Sequence, residues 1–240
     1  MLELFLSSLP SVRVLLTVAP IAVAFVLLAG WFAGYLRVER GVRTAYTRKI
    51  FHFLVFTGAT IVHLIWRLPG VTVLGIVATL IVLDAVRRGA GFPLYEALAR
   101  PNDEPHRTLF IIVPLVTTAL GGIATNSFFG AYAYVGYLVC GWGDAVGEPV
   151  GSRWGRHRYN VPSLAGVKAQ RSVEGSAAVL ITGAVAAAIG LSAAGFAAAT
   201  AVGVGIACGA ASALVEAVST HGLDNFTTQL AAAAIAALIL

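Results

Sequence analysis

Long apolar segments alternate with short basic ones along the chain, and this pattern constrains the fold more than any other feature. Only 11% of the residues are charged, against about 25% in soluble domains, which excludes a soluble enzyme. The sequence therefore predicts an all-α, polytopic transmembrane helical bundle of about 7–8 spans, with 1–240 as a single domain. The apolar runs cover residues 14–36, 50–66, 71–86, 108–125, 128–150, 174–193, 195–217 and 225–240.

Basic residues are concentrated in every second segment between these runs. The second segment holds only Arg67, and the fourth and sixth hold no cation. Because basic loops favour the cytoplasm, we expect the odd segments there and the amino terminus outside. The cations are Arg37, Arg40, Arg43, Arg48 and Lys49 in the first segment, Arg87, Arg88, Arg100 and Arg107 in the third, and Arg153, Arg156, Arg158, Lys168 and Arg171 in the fifth.

This topology would bring the polar candidates to one cytoplasmic site. The basic residues report membrane orientation, and without interleaved aromatic residues they do not indicate nucleic-acid binding. No transit peptide is evident, which favours a prokaryotic cell membrane. The candidates in or beside the odd segments are Asp144, Glu148, Glu174, Glu216 and the pair Asp224 and Asn225; Asp84 lies there too, and a local ion pair with Arg87 and Arg88 is its interpretation.

Two acids close the fifth apolar run. Asp144 and Glu148 are four residues apart, so on a helix both carboxylates lie on one face. Mg²⁺ prefers one or two carboxylates together with phosphate oxygens and water, which makes this pair a candidate metal site. An ion pair with Arg153 or Arg156 is the structural alternative.

Glycines and cations follow the acids directly. Gly151 and Gly155 alternate with Arg153 and Arg156. Glycine exposes backbone amides, and arginine makes bidentate contacts with phosphate, so a flexible phosphate-binding loop is one interpretation. An ordinary positive-inside loop is the other. A P-loop motif does not occur.

The starts of two further helices carry candidate anion ligands. Lys168 and Arg171 precede the sixth run, at a helix amino terminus suited to anions. Ser172 is expected to cap that helix, with Glu174 in its first turn. Asp224 could equally cap the eighth helix. The second run begins with the candidate phosphate contacts Arg48, Lys49 and His52.

Other small residues are assigned to packing. Cys140 and Cys208 lie in apolar runs outside any metal-binding or disulfide pattern, so we expect both in the core. Gly205 and Gly209 form a GxxxG step, which allows two helices to pack closely.

Taken together, these segments resemble the CTP-dependent polyprenol kinase family of membrane proteins, which includes dolichol kinase and phytol kinase. The resemblance extends from Thr47 to about Phe226. Gly147 stands where many relatives have alanine, and the short chain favours the phytol kinase-like branch. The matching segments are Arg48-Lys49 with His52 (RKxxH), Gly143-Asp144 through Gly151 with Arg153 and Gly155 (GDxxAxxxGxxxG), Lys168 and Arg171 through Ser176 (KSxEGS-like), and Glu216 followed by Asp224-Asn225 (E…DN).

The resemblance implies transfer of the γ-phosphoryl group of CTP, or of a related nucleotide, to a lipid alcohol in the bilayer. Asp144 with Glu148 would then hold Mg²⁺ on the triphosphate. The residues implied to stabilise the phosphate oxygens are Arg153, Arg156, Lys168 and Arg171. The residues that could orient or deprotonate the alcohol are Asp144, Glu174 and Asp224, and the sequence does not choose among them.

Three alternatives remain open at this point. A cytidylyltransferase that makes a CDP-lipid would need the same metal and triphosphate ligands. A phytyl-phosphate kinase would act on a lipid monophosphate, which His157 and Arg158 could bind. A membrane transporter would instead place polar groups near the bilayer midplane, with internal symmetry.

Overall fold

A computed structural model describes residues 8–240, and most of them are helical. A short antiparallel hairpin, formed by β1 (Arg158–Val161) and β2 (Ala169–Ser172), joins the helix that ends at Trp154 to the helix that begins at Val173. Apart from this hairpin, the all-α prediction is confirmed. The helices are α1 (Val12–Val38), α2 (Thr44–Arg88), α3 (Pro93–Leu98), α4 (Leu109–Phe129), α5 (Ala133–Trp154), α6 (Val173–Ala193), α7 (Ala198–Val218) and α8 (Asp224–Ile239).

Five stretches of helix in residues 8–240 are long and apolar enough to cross a membrane. Two of them have double length, Thr44–Arg88 with 45 residues and Leu109–Trp154 with 46. At about 1.5 Å per residue, each exceeds twice the ~30 Å hydrocarbon core of a bilayer. Each also contains a break, so these two stretches account for four of the predicted apolar runs. Helix α8, with 16 residues, is shorter than a typical span.

The two breaks differ in their local structure. Arg67 adopts a non-helical backbone with φ 54° and ψ −152°, two residues before Pro69. Proline has no N–H to donate to the preceding turn, and its ring clashes with that turn's carbonyl. The other break is the 3₁₀ turn Gly130–Tyr132, between α4 and α5.

The chain forms two compact units, Met1–Ile111 and Ile112–Leu240. In the first unit α1 packs along α2, and the short α3 packs against both. The Thr47 hydroxyl donates to the Ala97 carbonyl at 2.9 Å, and the Thr44 hydroxyl to the Glu96 carbonyl at 3.3 Å. These bonds fix the start of α2 on α3. A single functional domain over 1–240 stays a prediction.

In the second unit, α6 packs between α5 and α7, and α8 contacts α5 and α7. Glycines allow these close approaches. A Cβ at Gly147 would overlap Val179 Cγ2 of α6, and a Cβ at Gly205 would lie 2.6 Å from the Ala184 carbonyl oxygen. The GxxxG packing predicted for Gly205 and Gly209 is confirmed, because Gly209 lies against the backbone of Leu180 in the same way.

Candidate functional site

Side chains from α5, α6, α7 and α8 enclose a narrow cavity in the second unit, which we call the carboxylate cavity. Its volume is about 10 Å³, room for about one water molecule or ion. Apolar and oxygen-bearing residues both line it, so the cavity combines apolar surface with concentrated negative charge. The apolar lining residues are Val139, Cys140 and Val179, and the polar lining residues are Asp144, Ser212, Glu216, Asp224, Asn225 and Thr228.

The structure thus brings together four candidates that are far apart in sequence. Asp144 comes from α5, Glu216 from the last turn of α7, and the pair Asp224 and Asn225 from the start of α8. Two further polar lining residues were not predicted from the sequence. Ser212 lies one turn before Glu216, and Thr228 lies one turn after Asp224. The spacing of four residues from a candidate acid is the signal that could have identified both.

Ser212 is notable within the carboxylate cavity. Its side chain is buried, with 1% of the residue exposed, and its hydroxyl has no hydrogen-bond partner in the described part of the chain. A buried hydroxyl without a partner is costly, so an oxygen ligand for a water or an ion is available there.

Arg171 binds the acids of α7 and α8 to the hairpin. Its Nε lies 2.8 Å from Glu216 Oε1, and its Nη2 lies 2.8 Å from Asp224 Oδ2. Its Nη1 donates to the Ser219 carbonyl at 3.0 Å. All three guanidinium nitrogens therefore have an acceptor within the protein, and the side chain is only 10% exposed.

Hydrogen bonds to two neighbouring side chains hold Asn225 in place. Its Nδ2 donates to Thr118 Oγ1 of α4 at 2.9 Å, and its carbonyl accepts from Gln229 Nε2 at 2.6 Å. Asp224 lies in the first turn of α8, where its Oδ1 accepts the Asn225 backbone N–H at 3.1 Å. These bonds fix the start of α8 at the carboxylate cavity.

Asp144 and Glu148 lie one turn apart on α5, as the sequence predicts. Of the two, Asp144 lines the carboxylate cavity. No group of three or more His, Cys, Asp or Glu side chains in residues 8–240 is placed to hold a metal ion. Magnesium commonly takes only one or two carboxylates, so the Mg²⁺ role of Asp144 and Glu148 stays a prediction.

Glu174 has a different environment from the cavity acids. Ser172 caps α6 by accepting the Gly175 N–H at 3.1 Å, and Glu174 lies in the first turn, which confirms both structural predictions. The Glu174 carboxylate accepts the His157 backbone N–H at 3.3 Å and contacts His157 Nδ1 at 2.8 Å. It therefore ties the end of α5 to the start of α6.

The predicted glycine loop is partly wrong. Gly151 lies inside α5, where a Cβ would come within 3.0 Å of Ser172 Oγ, and Gly155 is the helix C-cap. Close packing of α5 on α6 keeps this segment helical through Trp154. The exposed cations, in contrast, are accessible for phosphate contacts; they are Arg153 at the end of the helix, Arg156 after it, and Lys168 before β2.

The hairpin itself was not predicted. Tyr159 pairs with Arg171 and Asn160 with Gln170 across the two strands. The backbone N–H of His221 donates to the Pro162 carbonyl at 2.8 Å, which fastens the hairpin to the segment between α7 and α8. Its strands are too short for a clear alternation, although Pro162 and Gly166 are turn signals.

The remaining candidates lie in the first unit, on α2. Lys49 is buried, with 3% of the residue exposed, and the His52 ring lies 4.4 Å from the ring of Phe56. Arg48 is half-buried. A shared site for these three residues and Asp144 stays a prediction.

The first unit also contains ion pairs that were not predicted. The sequence indicated Arg100 and Arg107 only as cations of a basic segment. Arg100 and Asp103 form two contacts, at 3.0 and 3.2 Å. Glu96 accepts from Arg107 Nη2 at 3.0 Å and from the Gly91 N–H at 3.0 Å. Partial burial opposes the charge of Glu96, but the two donors outweigh it and hold its pKa below the ordinary value.

Comparisons with known proteins agree with the motifs. A phytol kinase from Synechocystis sp. is 29% identical over 195 residues, which cover 79% of this chain and 77% of that protein. No family model and no solved structure matches the chain. The similarity supports a phytol kinase-like or polyprenol kinase-like family, as the motifs indicate.

Proposed function

We propose that the protein is a membrane-embedded kinase that transfers the γ-phosphoryl group of CTP, or of another nucleoside triphosphate, to an isoprenoid alcohol. Candidate acceptors are phytol, geranylgeraniol and a polyprenol. The observation that carries the proposal is the convergence of Asp144, Glu216 and Asp224 on one cavity among apolar helices. Ionisable groups are costly within membrane helices, so such a cluster indicates a functional site. The similarity to a phytol kinase supports the same activity.

Hard oxygen donors that a divalent ion could use are present. Asp144 and the unpartnered Ser212 hydroxyl line the cavity, and Glu148 lies one turn from Asp144 on α5. Bound Mg²⁺ would neutralise negative charge on the triphosphate. The exposed Arg153, Arg156 and Lys168 would contact phosphate oxygens.

The reaction requires a proton acceptor near the alcohol. The alcohol oxygen forms a bond to the γ-phosphorus while the bond to the β–γ bridging oxygen breaks, which releases CDP when CTP is the donor. The hydroxyl proton passes to a carboxylate within hydrogen-bond reach. Of the three sequence candidates, Asp144 and Asp224 line the carboxylate cavity, whereas Glu174 does not line it. This favours the first two as the proton acceptor.

We also propose that the site faces the cytoplasm of a prokaryotic cell. The basic segment that contains Arg153, Arg156 and Lys168 directly precedes β2 and α6, and positive loops favour that side. The isoprenoid tail would lie against the apolar helices, with its hydroxyl at the carboxylate cavity.

Labelling of lipid products tests the proposal. Membranes that contain the protein are incubated with γ-labelled CTP, Mg²⁺ and a panel of isoprenoid alcohols, and the extracted lipids are separated by chromatography. Label in an alcohol-derived product supports the kinase and names its acceptor, and parallel reactions with ATP and UTP identify the donor.

Other products would contradict it in specific ways. Pyrophosphate release with a phosphatidic acid would indicate a cytidylyltransferase, and label only on a lipid monophosphate would indicate a phytyl-phosphate kinase. Absence of every labelled product, with transport of an anionic substrate into vesicles, would indicate a transporter.

A further inference from the structure

We infer that Arg171 is a positioning residue that holds Glu216 and Asp224 at the carboxylate cavity, and not a direct ligand of the nucleotide. The inference rests on the proposed kinase function. Its basis is a set of three contacts from one side chain, to two carboxylates and one backbone carbonyl. We call this set the Arg171 clamp; it comprises Arg171, Glu216, Ser219 and Asp224.

The clamp joins three separate segments of the second unit. Arg171 lies on β2, Glu216 on α7 and Asp224 on α8, and the Arg171–Asp224 contact spans 53 residues of sequence. Ser219 lies in the segment between the two helices. One guanidinium therefore sets how the end of α7 and the start of α8 face each other across the cavity.

The clamp places one positive charge between acids that would otherwise repel one another. Glu216 and Asp224 line the same cavity as Asp144, and like charges at close range repel one another. A single, largely buried cation bonded to two of these acids offsets that repulsion and fixes their directions. Lysine could not replace it, because an ammonium group lacks the planar fork that reaches acceptors on different sides.

The exposed fraction separates Arg171 from the other cations of this region. Its side chain is 10% exposed, and each of its nitrogens has a protein acceptor. Arg153, Arg156 and Lys168 are exposed. The exposed cations are therefore accessible to a triphosphate, whereas Arg171 is engaged with the two acids.

Steady-state kinetics of Arg171→Gln and Arg171→Lys test this role. Both proteins are compared with wild type as kcat per folded molecule, after size-exclusion chromatography in detergent, and as KM for the nucleotide. We expect kcat to fall about 100-fold or more in Arg171→Gln and at least about 10-fold in Arg171→Lys, with the nucleotide KM within about threefold of wild type. The matched control is Arg87→Gln, which removes an exposed arginine from its pair with Asp84 and should change neither parameter.

Two kinetic results would overturn the inference. A large increase in nucleotide KM that Arg171→Lys restores would show a direct phosphate contact. An unchanged kcat per folded molecule in Arg171→Gln would show that the clamp serves stability alone.

A thermal-stability cycle tests the clamp without any activity. Arg171→Gln, Glu216→Gln and the double variant are melted in detergent. We expect the double variant to melt at a higher temperature than Arg171→Gln alone, because it no longer carries the Glu216 charge that Arg171 offsets in wild type. Additive losses would contradict the clamp. A wild-type protein that phosphorylates no alcohol but shows this non-additivity would refute the proposed function and leave the clamp in place.

Discussion

Buried ion pairs in the first unit join residues close in sequence, whereas those in the second unit join distant segments. Arg100 and Asp103 are three residues apart, and both side chains are largely buried. The Arg171 clamp instead gathers acids from α7 and α8 around a cavity that also contains Asp144. A local pair can satisfy its own charges as the chain folds. A long-range cluster around a cavity needs another reason, and the proposed catalysis would supply one.

The difference between the two units predicts that the acids of the carboxylate cavity control activity. The largest expected loss of activity follows substitution of Asp144. Asp144→Asn keeps the shape of the side chain and removes the charge that would hold Mg²⁺ or orient the alcohol. We expect kcat to fall by about 10²–10³-fold or more in the lipid-labelling assay, with normal elution on size-exclusion chromatography.

Asp84→Asn is the matched control for that experiment. It makes the same chemical change at an exposed acid paired with Arg87 and Arg88 in the first unit. Its activity should equal that of wild type. Activity retained in Asp144→Asn, or lost equally in both variants, would break the proposed contrast between the units.

The local pairs should control stability and not chemistry. Asp103→Asn leaves Arg100 without its carboxylate where 4% of the Asp103 side chain is exposed. Losing one partner of a buried pair costs about 3–5 kcal/mol, whereas an exposed pair such as Arg87–Asp84 contributes about 0–1 kcal/mol. We expect a clear fall in melting temperature for Asp103→Asn, little change for Asp84→Asn, and unchanged kcat per folded molecule for both. A fall in kcat per folded molecule for Asp103→Asn would assign catalysis to the first unit as well.

The sequence predicted the helices better than the site because apolar runs encode membrane helices directly. The run at 174–193 became Val173–Ala193, and the run at 195–217 became Ala198–Val218. Asp144, Glu216 and Asp224 were identified as candidates from their position and family motifs. Their shared cavity depends on how four helices pack, which no local pattern specifies.

One mistake and two omissions show where local patterns mislead. Gly151, between cations, has the composition of a phosphate-binding loop, yet helix packing against Ser172 decides its conformation. Arg171 has the residue type of a phosphate ligand, a role that stays a prediction, and only the fold reveals its two carboxylate partners. The hairpin of β1 and β2 was missed because its four-residue strands carry no clear pattern of their own and are stabilised by tertiary anchoring.

The packing of α5 on α6 at Gly147 provides a further test, which concerns the stability of the second unit. At Gly147, where many relatives of the resembled family carry alanine, an added Cβ would overlap Val179 Cγ2. Overpacking of this kind costs about 1–3 kcal/mol, so Gly147→Ala should lower the melting temperature, and Val179→Ala in the same chain should restore part of it. Gly75→Ala is the control, because a Cβ there meets nothing within 4 Å, and it should be neutral or slightly stabilising. Equal losses at the two glycines would show that helix contact at Gly147 does not decide the outcome.

The smallest expected effect is the pH dependence of the first unit through Glu96. Its pKa lies below the ordinary value in the folded protein because the Gly91 N–H and Arg107 outweigh the effect of burial. A depressed folded-state pKa gives stability that is present above the unfolded-state pKa and is lost as the pH falls through the folded-state pKa. Melting temperatures of wild type and Glu96→Gln should therefore differ most near neutral pH and converge in acid. A constant difference across that range would mean that the hydrogen bonds of Glu96 stabilise the unit without regard to its charge.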